Sequence, residues 1–232
     1  MRLGWFTCSP LFAERLERIG ETSTQNPCGL GQTLVMALLT QWTFDGYIRW
    51  LRGLRTQYRH RRDFFVDCLE EEFELLPEPG TTSELLCAYP YTACGSSLNE
   101  KTRNKRPLLS FVPPSSGMFV WVKLYFGDVP DKRDESDGSM VTPERQFWQR
   151  LAEAGVLVAP GWIFSPDEQG GAPPSEADRQ IGHMRLSYTP SDVSASLFSI
   201  TAWRCRLIGT IQMEKTRRGI KIFAQMLREF CV

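Results

Sequence analysis

Two arginines hold the plainest chemistry in this sequence. Arg2 lies in RLGW and Arg185 in HMRLSYT, each inside an apolar pattern of strand type. A guanidinium buried there without a partner is costly, so each arginine is expected to face an anion or a carboxylate. The planar fork of N–H donors matches a phosphate or carboxylate in paired bonds, which is the ligand-binding reading. An internal ion pair meets the same requirement and is the commoner arrangement for an isolated strand arginine.

Other chemistry is sparse. There is no GxSxG nucleophile elbow, no P-loop and no GxGxxG. His60 and His183 are the only histidines, so Ser-His or Cys-His pairing has little to work with. The string Glu70, Glu71, Glu72 reads as a solvated helix face rather than a general acid/base pair. Seven cysteines (Cys8, Cys28, Cys68, Cys87, Cys94, Cys205, Cys231) form no CxxC, which favours reduced thiols over a disulfide framework or a zinc site, and no metal is expected. The first lysine is Lys101, so amine chemistry is absent from the first hundred residues.

Charge adds an exclusion. Twenty-seven Lys and Arg balance twenty-seven Asp and Glu, leaving no bulk field for nucleic acid or an anionic membrane. The arginines at 49, 52, 55, 59, 61 and 62 lie on a helix that goes on to DCLEEEFE, and they read as its solvated face. No basic segment followed by an apolar stretch opens the chain, and ASLFSITAWRCRLIGTI is too short and too charged to span a bilayer. A soluble, cytoplasmic protein is expected.

The elements that must position the arginines can be read from periodicity. RLGWFTC (2–8) has the composition of a short buried strand, closed by Ser9-Pro10, and LFAERLERIGE carries helical spacing. STQNPCGLG is turn chemistry opening a long helical region, with Gln32 to Leu39 apolar enough to be buried. After LPEPGTT short strands follow: LLSFVPPSSGMFVWVKL reads as two strands about a Pro-Pro-Ser-Ser-Gly turn. DVPDKRDESDGSM reads as a loop. TPERQFWQRLAEAG reads as a helix with Thr142 as N-cap, Pro143 at its first position and Gly155 as its stop. VLVAPG and HMRLSYT read as strands, and MEKTRRGIKIFAQMLREF as an amphipathic helix.

The motifs RLGW, STQNPCGLGQ, YRHRRDFF, PPSSGMFVW, GVLVAPG and MRLSYT occur in an order that resembles the fold-type I pyridoxal-phosphate-dependent aminotransferases, nearest to their aromatic amino acid, kynurenine and 2-aminoadipate branch. The likeness covers most of residues 2–190 and again 213–230. It implies an α/β fold: a remnant of the large cofactor-binding domain over 1–40, connecting helices over 41–76, and a small α+β domain over 77–232. It also implies transfer of an amino group between an aromatic or 2-aminoadipate-like amino acid and a 2-oxo acid, with pyridoxal 5'-phosphate as cofactor, in a homodimer.

The resemblance assigns residues as well. The family motif SxSKxxxPGxRxGW supplies the Schiff-base lysine and an arginine for the cofactor phosphate; Arg2 matches that arginine, followed by Gly4 and Trp5. Arg185 looks like the arginine that holds the substrate carboxylate. SSGMFVW resembles the segment that closes over substrate, and STQNP a stretch near the dimer interface. The lysine should stand seven positions before Arg2, and this chain starts one position before it. The residues that normally contact the cofactor ring are missing as well, so an incomplete enzyme is expected, and Lys123 in WVKL is no substitute. Two alternatives stay open: a non-catalytic remnant or binding module, and a lyase or decarboxylase of the same fold. Residues 193–212 depart from the family pattern and read as a translated intron or an insertion.

Overall fold

Strand-forming residues concentrate after residue 72, and there they build a six-stranded antiparallel sheet. In this computed structural model the described residues are 4, 6–26, 28–78, 80, 84–91, 106–133, 140–165, 180–188 and 202–231, with side chains described from 213 onward in the last stretch. The chain divides into two units, 1–56 and 57–232. That division falls inside the 41–76 stretch assigned above to connecting helices.

The first unit is helical. Helix α1 spans Pro10–Thr22, with Ser9 at the N-cap position and Pro10 in the first turn. Helix α2, Gly29–Glu72, begins in this unit and leaves helical geometry at Thr43 (φ 58°, ψ 176°), a left-handed position that a β-branched residue adopts only under strain. Trp42, Tyr47 and Trp50 cluster on either side of it, with ring centroids 6.1 Å (Trp42–Trp50) and 5.9 Å (Tyr47–Trp50) apart.

Two expectations fail here. Gly4, Phe6, Thr7 and Cys8 form no strand and are exposed. A strand needs a neighbour for its N–H and C=O groups, and no other strand is described in this unit. The 32–39 stretch is not buried either, since Leu34 is 49% and Met36 64% exposed. The elements described in this unit are helices, and none of its described residues forms a strand.

The second unit carries the sheet. Its strands are β1 Phe73–Pro77, β2 Leu86–Pro90, β3 Leu109–Phe111, β4 Phe119–Tyr125, β7 Ala159–Pro160 and β8 Ile181–Ser187, in the order β1-β2-β3-β4-β8-β7. Strands β5 Lys132–Arg133 and β6 Met140–Val141 pair separately, so the ends of the expected 128–140 loop form a small ladder. Helix α2 stops at Glu72, because Phe73 to Leu76 already belong to β1.

Alternation decides which face is core. Val120, Val122 and Leu124 of β4 and Gly182, Met184 and Leu186 of β8 are buried, while Phe119 and Trp121 face outward as the sequence pattern indicated. Three helices cover the inner face. Helix α2 brings Phe65, Cys68 and Leu69; α3 (Pro143–Glu153) brings Phe147 and Leu151; α4 (Ala202–Cys231) brings Ile220, Phe223, Ala224, Leu227 and Phe230 at helical spacing. Phe126, Phe147 and Phe230 form an aromatic knot, with ring centroids 5.4 to 5.7 Å apart.

Helix α3 ends as its sequence implies. Gly155 takes φ +81°, its N–H donates to Ala152 O and the N–H of Val156 to Leu151 O, which is the Schellman arrangement. VLVAPG contributes less strand than expected: only Ala159 and Pro160 pair with β8, while Val156 and Val158 pack on the core. Residues 202–212 continue the backbone of α4; 193–201 lie outside the described residues. No helix among the described residues is long and apolar enough to cross a membrane.

Candidate functional site

Arg185 sits on the outer face of β8, opposite Trp121 of β4 on one side and Ala159 of β7 on the other. The residue is half-buried. Its guanidinium carbon lies 4.2 Å from the Phe119 ring centroid and 4.5 Å from that of Phe164. No carboxylate is seen paired with Arg185 among the described residues, where Glu14–Arg18, Arg62–Asp63, Glu71–Arg217 and Glu72–Arg228 are among the ion pairs. Aromatic faces stand where an internal ion pair was the commoner expectation, and they attract the cation without using its planar N–H donors.

The ring of Phe164 comes from a 3₁₀ turn, η1 (Gly161–Phe164), directly after β7. This turn is anchored on α3. Trp148 and Trp162 meet edge to face at 5.7 Å, and the Arg145 guanidinium carbon lies 5.2 Å from the Trp162 ring. Trp148 Nε1 donates to Val158 O, holding the approach to β7. Trp121 completes the outer cluster, edge-on to Phe164 (5.6 Å) and stacked on His183 (5.8 Å).

The other end of the site is fixed from the turn before β4. Gly117 takes φ +87° there, a conformation that favours glycine. Tyr188 O–H donates to Gly117 O at 2.7 Å, and Arg62 Nη1 donates to Pro114 O at 3.2 Å. Phe119 therefore leaves a turn tied to both β8 and α2. A cavity of about 450 Å³ opens beside Arg185, with Phe119, Ala159, Lys215 and Phe223 among its lining residues.

Two ionisable groups nearby are perturbed. Burial, and secondarily the charge of Lys123, hold the His183 imidazole below its ordinary value. Burial pushes the Glu144 carboxyl up, against the opposing pull of the backbone N–H groups of His183 and Gly161 and the charge of Arg145. Glu70, Glu71 and Glu72 form no acid/base site: Glu71 pairs with Arg217 and Glu72 with Arg228, joining α2 to α4. Arg49, Arg52, Arg55 and Arg59 are exposed, as a solvated helix face requires, whereas Arg61 and Arg62 are half-buried and Arg62 pairs with Asp63 and donates to Pro114 O. No group of three His, Cys, Asp or Glu able to hold a metal occurs among the described residues.

Of the residues expected at the site, Arg185 lies on β8 as described above, and Arg2 lies outside the described residues, as does Trp5. The described donor set, one guanidinium with two phenyl rings, suits a single carboxylate. It does not by itself fit pyridoxal phosphate, which also needs an amine and a partner for its ring nitrogen. Sequence reading missed Phe164 and Glu144. A signal for Phe164 was present in GWIF, an apolar turn directly after a strand end; Glu144 carried none beyond an acidic residue in a helix's first turn.

No family model matches the chain. It is 26% identical, over 99% of its length, to the L-tyrosine:2-oxoglutarate aminotransferase of Tapinella panuoides, and spans 40% of that protein. It is 30% identical over 72% of its length to an aromatic amino acid aminotransferase of Schizosaccharomyces pombe, spanning 28% of it. A crystal structure of an aminotransferase from Candida albicans superposes with a TM-score of 0.56 at 24% identity, covering 96% of this chain and 36% of that one. By sequence over nearly all of its length the chain is similar to aromatic amino acid aminotransferases, it shares the fold of the matching part of one, and it spans about two fifths or less of the length of each.

Proposed function

We propose that this chain contributes the carboxylate-holding part of an aminotransferase that moves an amino group between an aromatic or 2-aminoadipate-like amino acid and a 2-oxo acid. The observation that carries the reading is Arg185, half-buried beside two aromatic rings, with no carboxylate partner among the described residues. Its N–H fork would take the substrate carboxylate in paired, charge-assisted bonds. Phe119, Phe164 and Trp121 would exclude water around that pair, which strengthens it. Pyridoxal 5'-phosphate would supply the electron sink for the transfer, with Arg2 at its phosphate. The relatives' names support the reaction class, and the family resemblance implies a cytoplasmic homodimer.

Two measurements test the reading. Phenylpyruvate, a 2-oxo acid with an aromatic ring, should bind the 232-residue chain, and Arg185→Gln should weaken that binding by tenfold or more, about the worth of a charge-assisted pair. Equal affinity in wild type and Arg185→Gln would refute the assignment. Mixed with pyridoxal phosphate, the chain alone should show no visible absorbance band of a lysine-bound cofactor. A chain of the relatives' full length, carrying SxSKxxxPG before Arg2, should show one that borohydride abolishes. Such a band in the 232-residue chain would show that one of its own lysines reaches the cofactor and would overturn the reading of this chain as the carboxylate-holding part alone.

A further inference from the structure

Glu144 occupies the corner at which β7 leaves β8. The register sets Ala159 opposite Arg185 and Pro160 opposite Met184, and continuing it would set Gly161 opposite His183. The ladder stops there. Instead, Oε1 of Glu144 accepts from both backbone N–H groups, at 3.2 Å from Gly161 N and 3.0 Å from His183 N. One carboxylate oxygen thereby satisfies two strand-edge donors at the point where the chain turns into η1.

The surroundings leave Glu144 little choice of position. A Cβ on Gly161 would stand 2.7 Å from His183 Cβ and 3.0 Å from Glu144 Oε1, and a Cβ on Gly182 would stand 2.9 Å from Glu144 Cγ. Both glycines admit the carboxylate by having no side chain. Beyond Gly161 the turn holds only Trp162, packed on Trp148, and Ile163 before it reaches Phe164 beside Arg185.

We infer that Glu144 is a positioning residue: by tying the Gly161 end of η1 to β8 it sets Phe164 against Arg185, and so fixes how the guanidinium is presented to a carboxylate. This rests on the assignment of Arg185 as the carboxylate-binding residue. Glu144 acts only through the turn.

The test is solution NMR of the isotopically labelled full chain, read at the Arg185 δ-methylene and Nε–H signals, together with phenylpyruvate titration. In the wild type both rings should shift the δ-methylene upfield. Glu144→Ala should lose the Phe164 share of that shift, keep the Phe119 share, and weaken phenylpyruvate several-fold, by no more than removal of the Phe164 ring itself. Glu144→Gln keeps an oxygen that accepts both N–H groups, so it should retain the shift and bind within about twofold of wild type. Unchanged Arg185 shifts in Glu144→Ala would overturn the inference, because a merely structural role lowers stability without moving them. Should Glu144→Ala not fold, Glu144→Asp decides: one methylene shorter, it should lose the Phe164 share that Gln keeps, and retention of the full shift in Asp would overturn the inference. Failure of the Arg185 assignment shows separately, as phenylpyruvate binding that Arg185→Gln leaves unaltered or that the wild type lacks, with the shifts still behaving as stated.

Discussion

Phe164 and Arg185 meet across the outer face of the sheet, the ring centroid 4.5 Å from the guanidinium carbon. The two residues are 21 apart in sequence and reach each other because β7 pairs with β8 directly before η1 begins. A cation held by ring faces keeps its N–H edge available for a planar anion, a property an internal ion pair would remove.

Phe164→Ala separates this contact from the core. Phe164 is 44% exposed, so truncation removes little buried apolar area. The cation–π contribution it loses is about 0.5 to 2 kcal/mol. Expected is a denaturation midpoint close to wild type together with a phenylpyruvate affinity lowered by several-fold. A large loss of stability with unaltered affinity would show that Phe164 serves the fold and not the site.

Gly182→Ala tests the corner from the other side. The added methyl would stand 2.6 Å from Phe126 Cε2, and Phe126 is fully buried in the aromatic knot. Neither the ring nor the β8 backbone has room to retreat, so the variant should be destabilised by about 1 to 3 kcal/mol, the usual cost of overpacking a core. Urea denaturation reads this directly; a midpoint equal to wild type would mean that the packing about Gly182 is looser than the structure shows.

The sheet and its arginine were legible in the sequence because β4 and β8 carry clean two-residue alternation, and such a pattern survives whatever else the chain does. Phe119 and Trp121 were therefore placed on one face with Val120 and Val122 on the other. The strand expected over 2–8, at its described positions Gly4 and Phe6 to Cys8, and the buried 32–39 stretch failed for the complementary reason. Apolar composition states a demand for cover, and residues such as Leu34 and Met36 stay exposed when no layer is there to meet it. Glu144 was illegible because its role depends on two N–H groups, from Gly161 and His183, that only the folded topology brings to it.

The two ion pairs between α2 and α4 should differ in worth. Arg228 donates to the Glu72 carboxylate at 2.8 Å and to the Glu72 backbone oxygen at 2.9 Å, with the side chains 35% and 18% exposed. Arg217 and Glu71 are 54% and 49% exposed. Arg228→Ala should therefore cost about 1.5 to 3 kcal/mol, since it leaves Glu72 partly buried and unpaired. Arg217→Ala should cost 1 kcal/mol or less, by about the median for exposed pairs. Denaturation of both variants at low and high salt checks the ranking, and a costlier loss of Arg217 would reverse it.

His183 should make stability fall on acidification. Burial, then Lys123, lower its folded pKa below the unfolded value of about 6.5, so the unfolded chain binds the proton more tightly. The stability this represents is fully present above the unfolded value and is lost as pH falls through it toward the folded one. Glu144, which accepts the His183 N–H, works in the opposite sense. Its folded pKa is raised by burial above the ordinary carboxylate value, so its contribution is lost as pH rises from that value through the folded one. His183→Phe keeps a ring to stack on Trp121 and removes the titration. Between about pH 7.5 and about pH 5.5, on either side of the ordinary histidine value, the wild-type denaturation midpoint should fall more steeply than that of His183→Phe. Parallel pH profiles for the two proteins would show that the imidazole is not the group that titrates.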